Sequence, residues 1–309
     1  MTNFLSDSKQ RKALVAFSAA MLLAGSPAFA ADMAKDGYAM PTTISFGEVE
    51  ARIGGIWLNG DDLDDGEDVN LLFGGTALRL GKVFENRWVV QGDVFGELTD
   101  TDSRNSYSYG IGGALHLAKR YDAHLLGVFG GYIHTDQDTR DDSETSARIF
   151  AGVEGQRYFE DVTLYGQVGW IDGNWGSDDD GYDSVSRAAF ARATVRYFVK
   201  PATRLDLSAA AFYGLMDDDF SDDVTGGSLS AGIEHQLHDS NFSVFSGYEI
   251  SYYNQYEDGH EEIFEQTVSA GLKYRFGTDG SLKQQDRDRP SLDLPPLLRW
   301  AAQTAGPLD

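Results

Sequence analysis

The chain has 309 residues, a formal net charge of −24 and no cysteine. The acidity argues against nucleic acid as a partner, because a polyanion needs a basic surface, and the missing thiols exclude disulfides and thiolate metal sites. Thirty-five glycines against seven prolines, with 12% aromatic residues, suit an all-β chain better than a disordered one.

The N-terminus reads as an address. Lys9, Arg11 and Lys12 precede an apolar run at 13–24, and Ala28 and Ala30 make a small-x-small cleavage site. This is the pattern of a secretory signal peptide over 1–30, cut after Ala30. The apolar run is shorter than the ~20 residues of a spanning helix, which disfavours an uncleaved anchor. Residues 31–42 are expected to form an N-terminal periplasmic segment. No later run is apolar enough for a helical span.

From residue 43 onward, alternating runs are separated by polar breaks. The runs are 43–58, 69–83, 87–98, 106–118, 123–134, 145–158, 162–172, 185–199, 203–215, 227–237, 242–253 and 263–276. Each is long enough for a membrane-spanning strand, which needs ~9–11 residues. Short breaks such as Glu160–Asp161 alternate strictly with long ones such as 172–184. A sandwich has no reason to sort its connections this way. A transmembrane antiparallel up-and-down β-barrel of about twelve strands does, with tight periplasmic turns and long extracellular loops; a count of ten or fourteen would be a modest departure. The long loops hold 27 of the 49 acidic residues and only two basic ones, Arg104 and Arg140.

The alternation assigns faces. In the fourth run Tyr107, Tyr109, Ile111, Leu115 and Leu117 alternate with Ser108, Gly110, Gly112, Ala114 and His116, so the first set is expected on lipid and the second in the lumen. Trp57, Tyr107, Trp170, Tyr213, Tyr252 and Phe264 fall near the long loops. Phe84, Trp88, Phe159, Tyr197, Phe242 and Phe276 fall near the short turns. Amphipathic rings at both ends suit two interfacial girdles. The fifth run is small or apolar on both faces, which leaves its register open. The first is open too, since Ile44 and Phe46 share parity with Glu48 and Glu50.

Residues 43–276 resemble a Gram-negative outer-membrane β-barrel of the porin-like superfamily. Gly271, Leu272, Tyr274 and Phe276, in the run GLKYRF, are similar to that class's last-strand assembly signal, which ends on an aromatic residue. The resemblance implies residence in the cell outer membrane among its lipids and lipopolysaccharide, and insertion by the barrel assembly machinery. A departure is the stretch of about thirty residues after Phe276.

Parity points charges of both signs into the lumen: Glu48, Glu50, Asp93, Glu97, Glu154, Asp206, Glu234, Glu249 and Glu265 with Arg52, Arg79, Arg148, Arg192, Arg196, Arg204, Lys273 and Arg275. Such groups either pair and brace a small barrel or line a wet pore. The pore-lining candidates are Arg52, Arg79, Asp93, Glu97, Glu154, Arg192, Arg196, Asp206, Glu234, Glu249, Lys273 and Arg275. The four arginines Arg52, Arg79, Arg192 and Arg196 are expected as a ladder opposite Asp93, Glu97 and Glu154. Small inward residues such as Ser208, Ala210, Ser228, Ser230 and Gly232 leave room, and Phe95, Tyr165, Phe190, Phe212 and Phe245 take some of it back.

The reading is a porin-like channel for passive diffusion of small hydrophilic solutes or cations. One alternative is a closed barrel that displays acidic loops to other surfaces or to divalent cations. A remote one is a surface hydrolase using His134 and Asp136, with Glu97 and Asp100 nearby; no catalytic residue, metal site or cofactor is assigned. The tail, 278–309, is taken as a periplasmic extension with a charged, flexible start. Pro295 and Pro296 could open a short helix through Leu297, Leu298, Trp300 and Ala301. The tail reads either as a loose extension or as a segment that plugs the barrel or meets a partner.

Overall fold

The computed structural model describes residues 44–60, 69–101, 106–138, 143–173, 185–216, 223–238, 240–255, 261–277, 279–289 and 292–298. The expected signal peptide, the segment 31–42 and most of the acidic loops lie outside the described residues. The twelve runs form twelve strands: β1 (Ile44–Gly60), β2 (Val69–Val83), β3 (Trp88–Thr101), β4 (Ser106–Arg120), β5 (His124–Asp138), β6 (Ser143–Tyr158), β7 (Val162–Asp172), β8 (Val185–Lys200), β9 (Thr203–Met216), β10 (Asp223–Gln236), β11 (Phe242–Gln255) and β12 (Glu261–Phe276). Each pairs antiparallel with its chain neighbours, and β1 pairs with β12 to close the barrel. Closure leaves no edge whose backbone groups would go unsatisfied in lipid.

The outer face is the greasy one. Leu115 is 69% exposed, Leu229 66% and Ile53 66%. Exposed aliphatic side chains recur on every strand from β1 to β12, a surface that calls for acyl chains rather than water. Trp57, Trp170, Tyr213 and Phe264 stand exposed toward the long-loop end, and Trp88, Phe159, Tyr197 and Phe242 toward the short-turn end. No described helix is long and apolar enough to cross a membrane.

The two open registers are settled by packing. On β5, Leu125, Phe129 and Ile133 are buried inside, while Leu126, Val128 and Tyr132 are exposed outside. On β1, Phe46 points inward and joins Val83, Val89, Ala118 and Leu125 in an apolar cluster at the short-turn end. β10 begins at Asp223, four residues before the sequence run at 227. Gly226 and Gly227 look like a break in the sequence, but they continue the ladder opposite Phe212 and Ala211.

The inward phenylalanines explain many of the glycines. Phe46 lies over Gly81, Phe73 over Gly54, Phe95 over Gly112, Phe129 over Gly152, Phe150 over Gly131, Phe190 over Gly169, Phe212 over Gly226 and Phe245 over Gly271. In every case ring and glycine are direct cross-strand partners. A Cβ on the glycine would sit within 2.2–2.6 Å of a ring carbon. The ring therefore folds flat onto the neighbouring strand and covers its bare backbone, as in aromatic rescue of glycine. Cations then lie over two of these rings, Arg52 5.9 Å from the centre of Phe73 and Lys273 4.9 Å from that of Phe245.

The start of the tail is helical, not flexible as the sequence suggests. Helix α1 (Leu282–Asp288) is capped by the Ser281 side chain, which accepts from the Gln284 N–H. Its charges have partners on the barrel rim: Lys283 meets Asp161 at 2.7 Å, and Arg287 donates to the Phe159 carbonyl at 2.7 Å. Charge density suggested a solvated stretch; specific rim acceptors order it. Leu297 and Leu298 begin a helical turn after the two prolines, whereas Trp300 and Ala301 lie outside the described residues.

Candidate functional site

The barrel interior holds a ligand of its own making. After α1 the chain turns into the lumen, and residues 292–298 run from the short-turn end toward the long-loop end. Leu292 is fully buried among Val89, Ala118, Leu125, Tyr158 and Tyr165. Leu294, Leu297 and Leu298 pack against Phe129, Ile133, Phe150, Phe190 and Phe212 in the main apolar cluster. Of the two sequence readings of the tail, the described residues have the inward one.

Polar contacts fix the segment's backbone. The Gln91 amide donates to the Leu292 carbonyl at 2.7 Å and accepts from the Leu292 N–H at 3.1 Å. Gln167 donates to the Asp293 carbonyl at 2.7 Å, and the Tyr165 hydroxyl, whose single proton is directed at Glu154, lies 3.0 Å from the same oxygen. Arg192 donates to the Leu294 carbonyl at 2.9 Å. The Asp293 carboxylate meets Arg196 at 2.5 Å and Arg79 at 3.4 Å. Burial alone would raise its pKa, but Arg196 and then Arg79 outweigh that and hold it well below the ordinary carboxylate range. Arg196, itself fully buried, also binds Asp286 of α1 at 2.8 Å, so one guanidinium ties helix and segment together.

The sign of the Asp293 shift fixes a pH dependence. A depressed pKa contributes docking stability that is complete above the free aspartate value and is lost as pH falls through the docked value. Docking of the segment is therefore expected to be constant between about pH 5 and pH 8. Proteolytic accessibility of the tail across that range checks it; progressive release on going from pH 8 to pH 5 would contradict the arginine clasp.

The polar contacts of the segment come from β2, β3, β7 and β8, while at its far end Leu297 belongs to a cluster that also includes Phe212 of β9, Val224 of β10 and Tyr253 of β11. Beside the segment is a cavity of about 360 Å³ lined by Ser208, Ser228, Ser230, Thr267 and Ser269, by Glu50, Glu249 and Lys273, and by Asp293–Leu298 of the segment. At the short-turn end a charge network spans β9 to β2. Glu48 binds Arg275 at 2.6 Å and Arg79 at 3.1 Å; Glu234 binds Arg275 at 2.6 Å and Arg204 at 3.3 Å; Glu50 binds Lys273 at 3.2 Å. Fully paired, such a network is rigid at low net cost, since each ion meets its countercharge.

The predicted residues divide into three groups. Glu234, Lys273 and Arg275 join this network, Asp206 pairs with Arg204 at 2.8 Å, and Glu249 faces the cavity. Arg52 binds Glu97 at 2.8 Å and Arg79 binds Asp93 at 3.3 Å. Arg192 and Arg196 hold the tail, and Glu154 accepts from Tyr165 and faces buried His116, whose other nitrogen meets Asp93 at 3.0 Å. Of the expected ladder, Arg52 and Arg79 do meet Glu97 and Asp93, but as direct ion pairs, Arg79 also reaches Asp293, and Arg192 and Arg196 hold the segment instead of facing acids across a lumen. Gly271, Leu272, Tyr274 and Phe276 lie on β12, with Phe276 covering Gly47 of β1 at the closing seam. The His134 ring lies 6.3 Å from that of Tyr109, tilted at 54°, on the outer face, and Tyr109 donates to Asp136, whereas Glu97 points inward to Arg52. The hydrolase constellation is not assembled. Sequence reasoning missed Gln91, His116, Gln167 and Asp293. The first three sit at inward parity, but an amide or imidazole there has no signal until its partner is known.

A solved outer-membrane channel from Pseudomonas putida F1 superposes with a TM-score of 0.51 at 14% identity, covering 78% of this chain and 98% of that one. The fold is that of a Gram-negative outer-membrane β-barrel. The apolar outer surface of the barrel is the one that a cell outer membrane requires. The translocator domain of autotransporter NalP from Neisseria meningitidis matches at 0.47 and 12% identity over 85% of this chain and 98% of that one. A Pseudomonas aeruginosa FadL homologue matches at 0.45 and 10% over 75% and 90%. No family model matches the sequence, and no curated protein does.

Proposed function

We propose that this outer-membrane barrel is a channel for small hydrophilic solutes or cations, narrowed by its own C-terminal segment. The observation that carries the reading is the cleft of about 360 Å³ beside that segment, lined by hydroxyls and by charges of both signs. Water and small polar solutes find partners along those groups, although Phe95, Ile233, Phe245 and Leu294 contribute apolar surface to the same cleft. The acidic long loops, with 27 of the 49 acids and two basic residues, would enrich cations at the mouth. Purified full-length protein in a planar bilayer is expected to give small, cation-preferring conductance steps. A silent bilayer at high protein load would overturn the channel reading.

A second reading is a closed barrel that displays its loops. It is favoured by the aromatic and leucine cluster around Leu294, Leu297 and Leu298 in the outer half of the lumen. It predicts no steps, together with divalent-cation binding that disappears when Asp217, Asp218 and Asp219 become asparagine.

A further inference from the structure

We infer that the wall holding Leu292, Asp293 and Leu294 is a peptide-binding site, filled here in cis and able to take the same aliphatic–aspartate–aliphatic triplet from a second polypeptide. The inference concerns binding and does not depend on conduction.

The contacts have the form of peptide recognition rather than of core packing. Three successive carbonyls, of Leu292, Asp293 and Leu294, are each taken by a wall side chain, and Gln91 reads both polar groups of Leu292. Bonds to the main chain give affinity for any extended segment. Selectivity comes from two places. Leu292 fills a closed apolar pocket, and the Asp293 carboxylate enters the grip of Arg196 and Arg79. The reading groups sit on β2, β3, β7 and β8 of a closed barrel, so they are held in place without the ligand. Pro295 and Pro296 follow at once, and an X-Pro pair keeps the preceding residue extended.

Two features make exchange feasible. Helix α1 has rim contacts of its own, at Asp161, Phe159 and Val162, so residues 292–298 can leave while it stays. The cavity of about 360 Å³ borders Asp293–Leu298, so this side of the segment is not sealed by the wall. The cis segment competes at an effective concentration on the order of millimolar. A trans ligand succeeds where its own concentration or a longer contact surface matches that figure.

The test uses the full chain, which has no cysteine of its own. Gly110→Cys with Leu298→Cys places two thiols at a contact, since a Cβ on Gly110 meets Leu298 Cδ2 at 2.9 Å. This pair is expected to cross-link when the segment is docked. A synthetic peptide of residues 288–298, added at millimolar concentration, should lower the yield severalfold. The same peptide carrying Asp293→Asn should be about tenfold less effective. Undiminished cross-linking at the highest peptide concentration would overturn the inference, as would equal potency of the two peptides. A second arm uses Leu292→Asp with Asp293→Ala in the full chain. There the labelled peptide should bind saturably and about tenfold more tightly than to the unsubstituted chain; absence of binding to that variant would also overturn it.

Discussion

Replacing Arg196 by methionine is expected to release the C-terminal segment and to raise the conductance of the barrel severalfold. Arg196 is fully buried and joins Asp286 of α1 to Asp293 of the segment. Removing it takes from Asp286 and from the partly exposed Asp293 their shortest ion pair, leaving Asp286 with Thr163 and Arg287 and Asp293 with Arg79 at 3.4 Å, so the loss stays below the about 3–5 kcal/mol of a fully stranded buried charge. Seven residues held by a few wall contacts cannot absorb that loss, because much of their gain already offsets the entropy of ordering them. The barrel can absorb it: its ladders run through the backbone, and a methionine keeps apolar contact with the Tyr165 ring, over which the guanidinium now lies at 5.2 Å. Arg52→Met is the control, since its partners Glu97 and Glu50 belong to the wall. Planar-bilayer conductance and the Gly110–Leu298 cross-link both read the outcome. If Arg196→Met leaves both at the level of the unsubstituted chain, the segment is not held as described.

The second large effect is on the barrel itself. Gly131→Val should destabilise it by about 1–3 kcal/mol, the usual range for overpacking. A Cβ at Gly131 would lie 2.2 Å from the Gly113 carbonyl oxygen, 2.6 Å from a Phe150 ring carbon and 2.9 Å from the Ala114 Cα. Two of these are backbone atoms of β4, so β5 and β4 must part. The better strand propensity of valine offsets at most about 1 kcal/mol of that. Gly166→Ala, where nothing lies within 4 Å, should change stability by less than about 0.5 kcal/mol. Urea midpoints of the folded protein in detergent measure both, and equal midpoints for the two variants would refute the packing argument.

Architecture was legible in the sequence because it follows from a period of two. Strand number, the order of short and long connections, and the faces of β4, β9 and β12 all stand as the alternation implied. β5 was not legible, because Leu125 and Leu126 are equally apolar and only the inner cluster separates them. β10 lost its first turn of pleat to Gly226, whose strand character depends on Phe212 of β9. The inward charges were legible as a set, yet their pairing was not. Arg196 and Asp293 are 97 residues apart, and nothing local links them. The tail shows the limit most clearly: SLDLPPLL reads as a proline-rich extension until the Gln91, Tyr165 and Gln167 side chains are known to converge on it.

The paired phenylalanines and glycines also supply a ruler. Alternation tells a strand which side is wet, but sliding it by two positions preserves that answer, so hydropathy cannot choose among such offsets. A ring opposite an empty position can. Shift β5 against β6 by two, and Phe129 and Phe150 each meet a residue with a side chain where bare backbone now receives them. Alignment is thus encoded within the membrane-embedded part of the chain, between neighbours, rather than in the turns that join them. The outer loops are thereby relieved of any duty in setting the offset, and their length and charge are free to change with whatever the cell surface meets.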